Sequence, residues 1–251
     1  MTRIILHGCS GHMGHVVAEI AAADPELTVV AGLDAVDDGT RPFPVYTEKT
    51  DCKEEADVVV DFSTARAVDS LLDYCVERKL ALVLCTTGLT PEQLEKVRAA
   101  SGEIAILRSA NMSLGINVIL KLAAQAAKAL YPAGFDIEVE EMHHRRKLDA
   151  PSGTALLLAD GIRDALDEDT EYVYDRSSRS MARPHAEIGI TSLRGGTVVG
   201  EHEVVFAGED EVIRISHSAF SRAIFGKGAA AAAKFLAGKS AGLYTMGDLI
   251  G

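Results

Sequence analysis

Three glycines, at positions 8, 11 and 14, set the tightest limit on what this chain can fold into. They follow directly on the apolar run Arg3 to His7. After Gly14, residues Val16, Val17, Ile20 and Ala21 recur at helical spacing until Asp24 and Pro25 break the pattern. The reading is strand, tight turn, helix. A second apolar run, Leu27 to Leu33, ends at Asp34, twenty residues beyond Gly14. Glycines let a backbone make such a turn and approach a pyrophosphate, whose charge then meets the open amides and positive dipole of the helix N-terminus. An acidic residue closing the next strand can accept hydrogen bonds from ribose hydroxyls. The spacing is Gly-x-x-Gly-x-x-Gly and not the commoner Gly-x-Gly-x-x-Gly. Its weight comes from strand, helix and acid standing together where a dinucleotide fingerprint needs them.

Strand-like runs at 57–62, 80–84 and 104–107 alternate with helical stretches over roughly 65–78 and after Pro91. Such alternation predicts a parallel sheet with helices on both faces, in which ligands bind beyond the carboxyl ends of the strands. Those ends read Phe62-Ser63-Thr64, Cys85-Thr86-Thr87-Gly88 and Ser109-Ala110-Asn111-Met112, three small, polar, turn-forming sets that suit a nucleotide crevice. At the ribose end, Asp34 is followed by Ala35, Val36, Asp37 and Asp38, with none of the arginine that usually receives a 2′-phosphate. Three carboxylates there repel such a phosphate, so NADH is expected to serve at least as well as NADPH.

Charge narrows the partners. With 25 Lys and Arg against 37 Asp and Glu, the net charge of −12 speaks against a nucleic-acid partner, whose phosphates demand a basic surface. A small anionic substrate would instead need a locally basic pocket. The N-terminus has no extended apolar signal region, and no apolar run nears the roughly 20 residues of a membrane span. A cytoplasmic protein without a membrane partner is expected. The cysteines at 9, 52, 75 and 85 form no Cys-x-x-Cys pair, so they read as reduced thiols and not as a disulfide framework or a metal site.

A basic pocket is offered by the middle of the chain. An Ala- and Leu-rich helical stretch from Ile116 to Leu130 precedes the alternating strand-like run Phe135 to Met142, which delivers the chain to His143 and His144. Both imidazoles titrate near neutrality and can exchange a proton, and Arg145, Arg146 and Lys147 add three positive charges. Pro151, Ser152, Gly153 and Thr154 then open a helix whose amides and hydroxyls suit a carboxylate. Strand end, proton donor, cation and anion-binding helix start all fall within twelve residues.

The segment Glu140-x-x-His143-His144-x-x-Lys147-x-Asp149-Ala150-Pro151-Ser152-Gly153-Thr154-Ala155 resembles the signature of the dihydrodipicolinate (4-hydroxy-tetrahydrodipicolinate) reductases of diaminopimelate and lysine biosynthesis. Gly8-x-x-Gly11-x-Met13-Gly14, Asp61-Phe62-Ser63, Thr86-Thr87-Gly88, Ala110-Asn111-x-Ser113, Arg194-x-Gly196 with Gly200-x-His202, and Ser221-Arg222 with Phe225 carry the resemblance across the whole chain. It implies that His143 is the proton donor, that Lys147 binds substrate and stabilises charge, that His144 contacts substrate, and that Ser152, Gly153 and Thr154 grip a substrate carboxylate. It places Gly8, Cys9, Ser10, Gly11, His12, Met13, Asp34, Phe62, Cys85, Thr86, Thr87, Ser109, Ala110, Asn111 and Met112 around NADH or NADPH. Cys85 stands where the family typically has glycine, and Ala35 where some members carry arginine. The implied reaction is hydride transfer from the nicotinamide to C4 of a dihydropyridine dicarboxylate, with protonation at C3 by His143. The implied assembly is a homotetramer.

The fold expected is α/β: a Rossmann-type parallel-sheet nucleotide domain over 1–112 and 218–251, interrupted by an α+β domain with an open mixed sheet over 113–217. That second domain is expected to bind substrate and support oligomerisation. Two rival readings remain. A short-chain dehydrogenase needs a Tyr-x-x-x-Lys dyad, and none occurs. A non-catalytic NAD(H)-binding regulator would have no use for His143, Lys147 and the helix start at Ser152.

Overall fold

A computed structural model describes residues 1–251. The first strand, β1 (Thr2–His7), carries Ile4, Ile5 and Leu6 fully buried in succession, as expected of a central strand covered on both faces. The chain turns into α1 (His12–Ala23). It continues through β2 (Leu27–Leu33), β3 (Val45–Tyr46), β4 (Val58–Asp61), α2 (Ala65–Arg78), β5 (Ala81–Leu84), α3 (Pro91–Ser101) and β6 (Ala105–Arg108). The start of α3 is set by a capping box, Thr90 Oγ1 accepting from the Gln93 amide while Gln93 Oε1 accepts from the Thr90 amide, with Pro91 at the first helical position.

A second unit follows: α4 (Leu114–Leu130), β7 (Asp136–His143), α5 (Gly153–Arg163), β8 (Glu171–Val173), β9 (Glu187–Arg194), β10 (Gly200–Ala207) and β11 (Val212–Ala219). Its five strands lie in the order β11-β10-β7-β9-β8. The sheet is mixed, with β10 antiparallel to β11 and β7, and β9 parallel to β7 and β8. Alternation gives the sheet one apolar face: Ile137, Val139, Ile188, Ile190, Val204 and Phe206 pack with Ile119 and Ala123 of α4 and Leu158 and Ile162 of α5.

The polar segment after residue 173 is tied down. Arg176 and Arg179 both bond Glu187, and Arg176 also reaches Glu138 at 2.9 Å. Arg183 donates to Asp136 at 2.6 Å, to Glu138 at 3.1 Å and to the carbonyls of Ile137 and Glu187. Gly189 makes room for this strap, since a Cβ there would lie 1.7 Å from the Glu138 carboxylate. Arg183→Ala leaves two carboxylates and two carbonyls short of a donor, and should lower stability by about 2–3 kcal/mol. Arg179→Ala removes one partly exposed pair and should cost about 1 kcal/mol or less. Urea unfolding midpoints of the two variants check this order.

The chain then returns through α6 (Ala223–Leu236), β12 (Gly242–Tyr244) and α7 (Met246–Ile250). These complete a seven-stranded sheet, β12-β6-β5-β4-β1-β2-β3, in which every pairing is parallel. On one face Val17 and Ala21 of α1 and Ala229, Ala232 and Ala233 of α6 cover Ile4, Leu6, Val58 and Val60. On the other, Val68 and Leu71 of α2 and Val97 of α3 cover Ile5, Val59 and Leu82. The fold is therefore a doubly wound parallel α/β sheet plus a mixed five-stranded sheet with helices on one face. The chain divides into two compact units, Met1–Leu114 with Ala223–Gly251, and Gly115–Arg222. No helix is long and apolar enough to cross a membrane.

Candidate active site

In the first unit, the turn after β1 is built on close backbone approach. Gly8 has φ +78°, and a Cβ there would sit 2.6 Å from the Phe62 carbonyl oxygen; at Gly14 it would sit 2.3 Å from the Gly8 oxygen. Gly14 demands glycine by packing, and Gly8 by packing and by its left-handed φ. What they create is a flat turn leading to α1, whose N-cap is Gly11, with no side-chain cap and no acidic residue in the first turn. The amides of that first turn are available to an anion. Asp34 stands beside them, Oδ2 accepting from the Ser10 amide at 2.8 Å and Oδ1 from the Ala35 amide at 2.8 Å, so each oxygen keeps a lone pair for a hydroxyl. The residues present thus fit a dinucleotide: a cradle that a Cβ would fill, an uncapped helix start, and an acid at the next strand end.

Other predicted crevice residues divide by what they offer. Phe62 is half-buried, His12 is exposed at the first position of α1, and Thr87 and Ala110 are exposed at the loops beyond the strands. Ser109 and Asn111 lock their own turn, Ser109 Oγ donating to the Asn111 carbonyl at 2.8 Å and Asn111 Oδ1 accepting from the Ser113 amide at 2.9 Å. Cys9, Cys85 and Met112 are 0%, 8% and 2% exposed, with side chains in the core, so only their backbones are available to a ligand. Burial pushes the Cys85 thiol well above its ordinary range. Below the crevice, His7 Nδ1 and Asp61 Oδ1 form a buried pair at 2.7 Å, which the sequence did not single out. Arg41 was missed as well. Two of its guanidinium nitrogens are buried without a partner, and its charge acts on Cys9 and Asp38 near the Asp34 turn.

In the second unit, β7 places Ile137, Val139, Glu141 and His143 on one face, so the strand that seeds the core also delivers the polar site. His143, 8% exposed, bonds through Nδ1 to Glu141 Oε2 at 2.6 Å. Arg194, at the end of β9, grips both Glu141 oxygens at 2.8 Å. Glu141 Oε1 also accepts from the Ser152 amide at 3.0 Å. Burial would push this carboxyl up, but the bonds from Arg194, His143 and the Ser152 amide outweigh it and hold the group down at about 2. For His143, desolvation outweighs the raising effect of Glu141 and lowers the imidazole below its ordinary value.

Ser152 is the N-cap of α5, its Oγ accepting from the Ala155 amide at 3.1 Å, and it meets His202 Nε2 at 3.0 Å. His202 packs edge-on against His143 with ring centroids 5.1 Å apart, and burial drives it down to about 4, so it stays neutral at pH 7. Beside both rings, a Cβ built on Gly200 would lie 3.0 Å from His143 Nε2 and 3.6 Å from His202 Cε1. Any larger residue at 200 would crowd the nitrogen that is free to carry a transferable proton.

Lys147 acts electrostatically on His143 and pairs with Asp149 at 2.9 Å, while Arg145 and Arg146 are exposed and take no part in the network. His144 is half-buried, its amide donating to the Val198 carbonyl at 2.7 Å. Gly153 and Thr154 form the first turn of α5, which contains no acidic residue. The second unit therefore joins one titratable imidazole, one ammonium and one helix start; of the three adjacent cations in the sequence, it retains only Lys147. Arg194, Gly200 and His202, distant in sequence from His143, reach this site only through strand pairing of β9 and β10 with β7. No group of three or more His, Cys, Asp or Glu side chains is placed to hold a metal ion.

Two family models cover nearly the whole chain: residues 2–112 match "Dihydrodipicolinate reductase, N-terminus" and residues 115–250 match "Dihydrodipicolinate reductase, C-terminus". A relative from Caldanaerobacter subterraneus subsp. tengcongensis is 56% identical over 100% of this chain and 98% of its own length; one from Clostridium novyi is 46% identical with the same coverage. Both are named 4-hydroxy-tetrahydrodipicolinate reductase. Among solved structures, a dipicolinate-bound dihydrodipicolinate reductase from Paenisporosarcina sp. TG-14 aligns with a TM-score of 0.83 at 24% identity, over 98% of this chain and 97% of that one. At that identity, the structural match speaks to the fold.

Proposed function

The chain belongs to the dihydrodipicolinate reductase family, and from that premise we propose that it reduces 4-hydroxy-tetrahydrodipicolinate to tetrahydrodipicolinate with NADH or NADPH. The observation that carries the reading is the Glu141, His143 and Ser152 cluster at the start of α5, which sets a proton donor beside an anion-binding helix end. Dicarboxylates need such a site: the helix start and the Lys147 ammonium each offset one negative charge.

The first unit holds the nucleotide, with Gly8 to Met13 around its pyrophosphate and Asp34 on a ribose. When bound, the reduced nicotinamide supplies the hydride. The substrate loses water across C3 and C4, the C4 hydroxyl leaving with a C3 hydrogen, and across the double bond so formed C4 receives the hydride and C3 a proton. His143 delivers that proton from Nε2, because Nδ1 is committed to Glu141. Ser152, Gly153 and Thr154 orient one carboxylate, and His144 and Lys147 contact the substrate near the reacting carbons. A dianion beside His143 favours its imidazolium, offsetting the lowering that burial imposes on the free enzyme. The enzyme acts in the cytoplasm as a homotetramer, with the open face of the five-stranded sheet as an association surface.

Asp34, Asp37 and Asp38 disfavour a 2′-phosphate, whereas Arg41 offsets part of that repulsion. NADH is therefore expected to be used at least as well as NADPH. One assay tests both points: oxidation of each nucleotide is followed with substrate generated in place by the preceding synthase. Turnover with a kcat/KM for NADH equal to or above that for NADPH is the expected result. A strong NADPH preference would sink the coenzyme reading. Tight NADH binding without turnover would favour a nucleotide sensor over an enzyme.

A further inference from the structure

Glu141 is bound by four residues, Arg194, His143, Ser192 and Ser152, and touches solvent almost nowhere, being 2% exposed. Arg194 Nη1 and Nη2 occupy both of its oxygens in a fork, and the guanidinium is itself held by the Asp149 carbonyl at 2.6 Å. The same carboxylate also accepts from His143 Nδ1 and the Ser152 amide, and the Ser192 side chain bonds it as well. A carboxylate held in this way can only accept, so the hydrogen between Glu141 and His143 belongs to Nδ1. The ring must then give and regain its proton at Nε2, the nitrogen left open by Gly200.

We propose that Glu141, clamped by Arg194, is a positioning residue that fixes the tautomer and ring orientation of His143, so that Nε2 alone carries the transferable proton. This rests on the reading of His143 as donor and adds how that donor is controlled. The groups facing His143 are Glu141 on its own strand, Arg194 from β9, His202 from β10, and Lys147 from the following turn. Among these, Glu141 is the one that favours the imidazolium.

Substitution separates a positioning carboxylate from a packing role. In Glu141→Gln the side chain keeps its length, and its amide oxygen can still accept from Ser152, but its NH₂ donates to Nδ1 and so favours the Nε2–H tautomer. In Glu141→Asp the carboxylate is kept and the reach shortened. If Glu141 positions, kcat falls about tenfold to a hundredfold in Glu141→Gln, in the range of other lost orienting partners. KM then changes by less than about threefold because Ser152 keeps its acceptor, and Glu141→Asp retains more activity than Glu141→Gln. The loss of kcat with rising pH should also set in at lower pH in the Gln variant, since the group that favours the imidazolium is gone.

Ring nitrogen–proton NMR correlations of the ligand-free enzyme supply a readout independent of turnover, with His143→Ala used to assign the signal. Wild type is expected to show Nδ1–H, and Glu141→Gln to show Nε2–H. Recorded at a pH where the ring is neutral, a wild-type His143 protonated on Nε2 with Nδ1 bare overturns the proposal without needing any variant to fold. A Glu141→Gln enzyme as active as Glu141→Asp or more so also overturns it, because that order reports side-chain length and not charge. His143→Ala with unchanged kcat overturns the donor reading and this proposal with it. A crippled His143→Ala enzyme beside a Glu141→Gln enzyme of wild-type kcat and tautomer overturns this proposal alone.

Discussion

Replacing His143 with alanine is expected to lower kcat by roughly 10²- to 10⁴-fold, the usual contribution of a positioned general acid, while KM rises far less. The separation follows from where the ring sits. Its Nδ1 is committed to Glu141, and one flank lies against His202, which is driven down to about 4 and cannot replace it as acid at neutral pH. The dicarboxylate is held elsewhere, by the α5 start and by Lys147, so binding survives loss of the imidazole. Lys147→Ala should by contrast raise KM and lower kcat together, because an ammonium beside the substrate acts on both the bound and the reacting state. The pH profile supplies a further sign. A general acid works protonated, so the wild-type rate falls as pH rises through the His143 value, and that limb should vanish in His143→Ala. Steady-state kinetics across pH 5 to 9 check all three expectations; unchanged kcat in the His143 variant removes it from proton transfer.

Much of this site was legible from residue spacing, and what was not depends on strand pairing. The alternation from Phe135 to Met142 announced a half-buried strand that would deliver His143, and the Ser152 cap announced the helix start. The partner of Glu141 could not be read, because Arg194 lies fifty-three residues away and arrives only once β9 pairs parallel to β7, with His143 opposite Arg194. Proximity in sequence also misled: Arg145 and Arg146 adjoin the histidines, yet the turn leaves them in solvent. The strands that escaped the pattern, β3, β8 and β12, are two or three residues long and all stand at sheet edges. Segments that short complete no period of alternation, and an edge position asks for no continuous apolar run. The carboxylate partners of Arg176, Arg179 and Arg183 sit on β7 and β9, out of reach of any local window.

Gly228→Ala should be the most damaging change to the fold, costing about 3 kcal/mol or more and lowering Tm by roughly 6–12 °C. In sequence, Gly226 and Gly228 look like weak points of an alanine-rich helix, since glycine inside a helix gives up about 1 kcal/mol relative to alanine. Packing outweighs that propensity at position 228. A Cβ there would lie 1.6 Å from the Met112 carbonyl oxygen and 2.7 Å from its carbon, so two main chains touch where the returning helix crosses the end of the first half of the unit. Neither side can give cheaply. Met112 is 2% exposed and packed in the same apolar cluster as Ala229, and the turn before it is locked by the bonds among Ser109, Asn111 and Ser113. Gly226 differs in kind: its Cβ would meet Ile20 Cδ1 at 2.7 Å and Val16 Cγ1 at 2.8 Å, the movable ends of side chains on α1. There the gain in helix propensity offsets much of the crowding, and Gly226→Ala should stay within about 1 kcal/mol of wild type. Thermal midpoints of the two variants, measured with and without NADH, decide the matter. If Gly228→Ala is as stable as Gly226→Ala, the close approach of α6 to Met112 is not what requires glycine at this position.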